Sequence, residues 1–138
     1  MIILDTNILS ALMLQSPDLR IIEWLDRQPR ISIWTTSVTV LEIQSGLQAM
    51  PTGKRRTLLM KAFAALLGTI EHRVAAFDLA AAQQAADLMT ARRKKGRPVE
   101  LRDTMIAGIA LAHRATLATR NTQHFEDVSV PLVNPWAA

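Results

Sequence analysis

Along this chain, short apolar runs of strand length alternate with longer stretches whose apolar residues fall three and four apart. That succession predicts strands joined by crossover helices in a parallel α/β sheet. Five runs qualify as strands: Ile2–Leu4, Ile31–Thr35, Val74–Phe77, Thr116–Thr119 and Pro131–Val133. Each is short and apolar enough to lie buried between two helix layers.

Helix borders are legible from capping and breaking residues. Ser16-Pro17 sets a hydroxyl before a proline, opening a predicted helix through about Arg27 with Leu19, Ile22 and Leu25 on one face and Pro29 ending it. A second is expected from about Thr39 toward Met50. A third runs from about Lys54 to Thr69 with Leu58, Leu59, Ala62, Leu66 and Ile70 at helical spacing, and Pro51 and Gly53 separate it from the second. Asp78 reads as the N-cap of an alanine-rich helix that Gly96 closes after a basic last turn. The last predicted helix, from about Arg102 to Ala115, sets Met105, Ile106, Ile109 and Ala112 on one face. No repeat, low-complexity tract or linker interrupts the 138 residues, so residues 1–138 read as a single domain.

Composition narrows the chemistry. Cysteine is absent, which excludes disulfides, thiol nucleophiles and cysteine-ligated metals. Met1-Ile2-Ile3-Leu4 leads straight into Asp5 with no basic leader or long apolar run, so a cytoplasmic chain with no membrane span is expected. The net charge of +4 suits a polyanionic or acidic partner. No acid occurs between Glu42 and Glu71, where Lys54, Arg55, Arg56 and Lys61 fall, and Arg92, Arg93, Lys94, Lys95 and Arg97 form a second basic cluster. Each cluster reads either as a solvated helix end or as a surface for phosphates. Three Trp, three Phe and no Tyr argue against a surface that stacks successive bases. Trp24, Trp34 and Trp136 read first as core or interface filler.

Three acids stand at element starts. Asp5 follows the first strand, where open α/β sheets bind ligands, although a helix cap would also explain it. Glu42 fits a capping box with Thr39, and Asp103 suits the positive end of a helix. If they converge, two carboxylates about 4 Å apart repel by roughly 4 kcal/mol at an effective dielectric near 20, so protons or a cation must be shared among them. Oxygen donors suit magnesium or manganese. His72, His113 and His124 lack ligand spacing and read as solvated or simply hydrogen-bonded.

Leu4-Asp5-Thr6-Asn7, Val40-Leu41-Glu42-Ile43, Asp103-Thr104-Met105-Ile106-Ala107 and Ala118-Thr119-Arg120-Asn121 before Phe125 together resemble the PIN-domain family. The similarity is to toxin subunits of VapBC-type toxin–antitoxin pairs, including the FitB-like branch suggested by Asn134-Pro135-Trp136, and it spans nearly the whole chain. It implies a three-layer fold around a parallel sheet of order 3-2-1-4-5. It also implies a metal-dependent endoribonuclease in which Asp5, Glu42 and Asp103 surround one or two magnesium or manganese ions. The family's fourth acidic position falls on Asn121, one charge fewer, with Glu100, Glu126 and Asp127 as acids that remain to supply it. Thr6, Asn7, Thr119 and Arg120 are the implied substrate contacts. The implied partners are RNA, a second copy of the chain, and a small DNA-binding antitoxin that covers the site.

Two rivals belong to other classes. A catalytically weak PIN-like binding or assembly module would keep the fold and lose the chemistry. An aspartyl-phosphate phosphotransfer domain also puts Asp after a first strand, but Asp5-Thr6-Asn7 lacks a second aspartate two residues on, and no lysine lies near the final strands.

Overall fold

A computed structural model describes residues 1–138. Five strands, β1 (Ile2–Leu4), β2 (Ile33–Thr36), β3 (Val74–Ala75), β4 (Thr116–Ala118) and β5 (Leu132–Val133), form one sheet in the order β3-β2-β1-β4-β5. All four pairings are parallel. Six helices flank it: α1 (Thr6–Leu12), α2 (Leu19–Asp26), α3 (Ser37–Ala49), α4 (Lys54–Thr69), α5 (Leu79–Lys94) and α6 (Leu101–His113).

The pleat sorts the core into two layers, because successive strand side chains point to opposite faces. Ile3 and Leu117 join Ala81, Ile106, Ile109 and Ala110 under α5 and α6. Their neighbours Leu4 and Ala118 join Ile8, Leu9, Ile21, Ile43, Leu47 and Phe63 under α1 to α4. The order in which strands are added reverses beside β1, with β2 and β3 on one side of it and β4 and β5 on the other. The crevice at the carboxyl ends of these strands is therefore the place where such a fold admits a ligand. No helix is long and apolar enough to cross a membrane.

The expected strands are all present, but most are shorter than their apolar runs. Residues Arg30–Ser32 form a 3-10 turn that leaves Ile31 77% exposed, so β2 begins only at Ile33. Ala76 and Phe77 lie beyond β3, Thr119 beyond β4, and Pro131, which has no N–H to give a ladder, precedes β5.

Three helix starts differ from the reading of the sequence. The cap of α2 is Asp18, which accepts from the Arg20 amide at 2.9 Å, rather than Ser16. Its inward face is Ile21 and Trp24, while Leu19 is 71% exposed. In α3 the cap is Thr36, whose hydroxyl accepts from the Thr39 amide at 3.1 Å. Thr39 is thus already inside the helix, no capping box with Glu42 forms, and the Glu42 carboxylate is left free to serve elsewhere. In α6 the cap is Glu100, which accepts from the Asp103 amide at 2.9 Å. The helix ends at Arg114 in the left-handed conformation, φ 52°, instead of running to Ala115. By contrast α4 and the Asp78 cap of α5 fall where the sequence sets them.

Candidate active site

Asp5 leaves the end of β1 as the N-cap of α1 and is only 4% exposed. Its Oδ1 accepts from the Thr6 amide at 2.8 Å, while Oδ2 accepts from the Thr119 hydroxyl at 2.8 Å and from Asn7 Nδ2 at 3.3 Å. These donors favour the ionised form, yet burial outweighs them and pushes the Asp5 pKa up, with Asp103 and Glu42 adding to the rise through their charge. The cap role and the convergence of acids thus coexist in one side chain.

Glu42 rises from the second turn of α3, where its Oε1 accepts from Thr6 Oγ1 at 3.1 Å. Thr6 Oγ1 also lies 3.1 Å from Thr39 Oγ1, so Thr39 of α3 and the start of α1 hold this edge together. The other Glu42 oxygen is 3.5 Å from the exposed Arg102 guanidinium. Asp103 stands in the first turn of α6, its Oδ2 2.9 Å from His124 Nδ1. Three acids far apart in sequence therefore surround one sheet edge, and Asp5 alone of them lacks a basic partner.

Thr119, fully buried just beyond β4, spends its hydroxyl on Asp5 while accepting from the Asn121 amide at 3.0 Å and from Asn7 Nδ2 at 3.4 Å. A substrate contact was expected of it, but the geometry makes it the residue that orients Asp5. Asn7 Oδ1 accepts from the Arg120 amide at 3.1 Å, so Asn7 ties the loop after β4 to the start of α1. The Arg120 side chain is exposed and lies over the Trp136 ring, 4.7 Å from its centroid. Asn121 is exposed on the loop beside Thr119.

Of the acids left to supply the missing charge, Glu100 caps α6, and Asp127 is paired with Arg92, which holds its pKa down. Only Glu126 is exposed and uncommitted. Arg92 itself is 3% exposed, so it is not part of a solvated basic cluster. Sequence reasoning missed the contacts of Arg102 with Glu42 and of His124 with Asp103, which join residues remote in the chain and leave no local signal.

The donor set consists of carboxylate oxygens with no sulfur, which fits a hard dication, and the charge left on Asp5 is what such an ion would neutralise. In this arrangement no three His, Asp or Glu side chains are gathered closely enough to hold one. Glu42 and Asp103 are both partly exposed, and each faces a basic neighbour, Arg102 and His124 respectively.

A parallel sheet of this order, with acids after β1, in the second turn of α3 and in the first turn of α6, defines a known class. The chain belongs to the PIN-domain family, described as PIN domain, whose family model matches residues 2–131. Within it, the chain is similar to the VapC ribonuclease Y4jK of Sinorhizobium fredii, 39% identical over 99% of this chain and 98% of that protein. Toxin FitB of Neisseria gonorrhoeae is 30% identical over 99% of both. The structure of FitAB bound to an IR36 DNA fragment matches with a TM-score of 0.89 at 30% identity, covering 99% of this chain and 96% of that one.

Proposed function

We propose that this chain is a magnesium-dependent endoribonuclease, the toxin of a type II toxin–antitoxin pair, with manganese able to replace magnesium. The observation that carries the proposal is the buried, unpaired Asp5 carboxylate whose pKa is raised by burial and by Asp103 and Glu42. Similarity to a protein named VapC ribonuclease supports the reaction class.

Asp5, Asp103 and Glu42 are the residues that would hold the ion. When bound, it would supply Lewis-acid activation of water and neutralise charge on the phosphate. Thr6 and Thr119 keep the Asp5 oxygens aimed, and Asn7 locks the loop after β4 to the strand end that carries Asp5. Glu42 orients the attacking water, Asn121 offers an amide oxygen at the same edge, and Arg120 steadies a phosphate. Because Arg120 is braced by the Trp136 ring, its guanidinium is held near the edge at reduced entropic cost.

FitAB, a related complex, is bound to DNA in its solved structure, which supports an antitoxin partner for this chain that also binds DNA. The surface best suited to that partner is an apolar groove of about 840 Å³ between the end of α1 and α4, lined by Leu12, Leu14, Leu58, Leu59 and Leu66 and edged by Lys54. Leu14 and Leu58 are 56% and 57% exposed there, a contiguous apolar surface that a free chain would keep covered.

Purified protein incubated with total RNA, with and without magnesium, tests the reading, and Asp103→Asn is the control. Magnesium-dependent cleavage at defined positions, lost in the variant, is the expected result. Undiminished cleavage by the variant rejects the role of Asp103, and no calorimetric binding of magnesium or manganese favours a noncatalytic binding module instead.

A further inference from the structure

Arg92 sits near the C-terminal end of α5, where a solvated side chain was expected, yet it is 3% exposed. Its Nε and Nη2 donate to Asp127 Oδ2 and Oδ1, both at 2.9 Å. Nη1 donates to Thr104 Oγ1 at 3.0 Å, and Nη2 also donates to the His124 carbonyl at 2.8 Å. One guanidinium thus joins α5, the start of α6 and the loop after β4.

Stability alone is a poor account of this pairing, since an apolar residue of similar volume often serves a buried site as well or better than an ion pair. What the pair does fix is the immediate surroundings of Asp103. Thr104 follows Asp103 and donates its hydroxyl to the Glu100 carbonyl at 2.8 Å, while the Glu100 carboxylate caps the Asp103 amide. His124, whose carbonyl Arg92 grips, sets its ring 2.9 Å from Asp103 Oδ2, and its amide donates to the Asn121 carbonyl at 3.0 Å.

We infer that Arg92 is a positioning residue, which clamps the loop carrying Asn121 and His124 against the first turn of α6 and so sets where Asp103 stands relative to Asp5. This rests on the nuclease reading of the site. A planar fork with five donors can reach three partners at once, whereas a lysine ammonium on the same stem can reach Asp127 but cannot span Thr104 and the His124 carbonyl as well.

The test compares wild-type protein with Arg92→Lys, which keeps the buried charge, and with Asp127→Asn, a second variant in case the first does not fold. Expected for each folded variant is a kcat for RNA cleavage lower by about tenfold or more, with KM within about twofold, because the exposed basic groups that bind RNA are untouched. A kcat within about twofold of wild type, with only Tm reduced, overturns the inference and leaves Arg92 as a fold-stabilising residue. Hydrogen exchange on the same proteins separates this outcome from failure of the nuclease reading. Faster exchange confined to amides 121–127, with Ile106–Ala110 unchanged, supports the clamp even if wild type cleaves nothing. Exchange unchanged in the loop, or raised equally in both segments, overturns it.

Discussion

Replacing Gly108 with alanine should destabilise the protein even though alanine is the better helix former. A Cβ at Gly108 would lie 2.5 Å from the Ala81 carbonyl oxygen, 2.8 Å from Ala85 Cβ and 3.0 Å from the Ala85 amide nitrogen. Two of those neighbours are backbone atoms of α5, so no flexible side chain can swing away, and the helices themselves must part. Overpacking of this kind costs roughly 1–3 kcal/mol, and backbone obstacles place it at the upper end. The gain in helix propensity offsets about 1 kcal/mol, leaving a net loss of about 2 kcal/mol. For a domain of this size that lowers Tm by roughly 6–8 °C. Gly46 of α3, with nothing within 4 Å of its added Cβ, is the internal control. Gly46→Ala should raise Tm by about 2–4 °C in the same melts followed by circular dichroism or calorimetry. The reasoning is refuted if Gly108→Ala melts at or above wild type. Thr104 lies one turn before Gly108, so the same parting of α5 from α6 should also loosen the bond from Arg92 and reduce cleavage.

Further outcomes follow from the site and its surroundings. Asp5→Asn should reduce magnesium-dependent cleavage by roughly a thousandfold, about 4 kcal/mol of barrier, in a single-turnover assay. The same variant should melt above wild type at neutral pH. Because the folded pKa of Asp5 is raised, its charge weakens the fold above that pKa, and the penalty fades as pH falls through it toward the unfolded value. The Tm difference between the two proteins should therefore shrink on acidification, and a difference that grows instead contradicts the assignment. Asp127 has the opposite sign, since Arg92 holds its pKa down: its stabilisation is present above the unfolded pKa and lost as pH falls through the folded one. Asp127→Asn should thus cost stability at neutral pH and little in strong acid, as read from melts across pH. RNA binding should weaken steeply with salt, and Arg120→Ala should reduce the slope of log K against log salt by about 0.7, the value for one single-strand phosphate contact. Leu58→Asp should weaken capture of the antitoxin in calorimetry while leaving cleavage by the free chain unchanged.

Local sequence carried much of this molecule. Period and turn chemistry set the alternation of strands and helices, because apolar spacing follows the geometry of each element and needs no knowledge of its neighbours. Asp78, Gly53 and the span of α4 were legible for the same reason. Asp5, Glu42 and Asp103 could be singled out by their places after a strand or at a helix start, and their meeting at one edge was expected from the motifs' resemblance to a family. What the sequence could not decide was how the polar groups share partners. Thr36 rather than Thr39 caps α3, and that one-turn choice is what frees Glu42 for Thr6. Whether Asp127 completes the site or pairs with Arg92 depends on side chains brought from 35 residues away. The fork of Arg92 reads as surface charge until α5, α6 and the loop after β4 close around it. Hydrogen bonds and ion pairs act over a few ångströms between residues remote in the chain, so packing selects among alternatives that local propensity leaves equal.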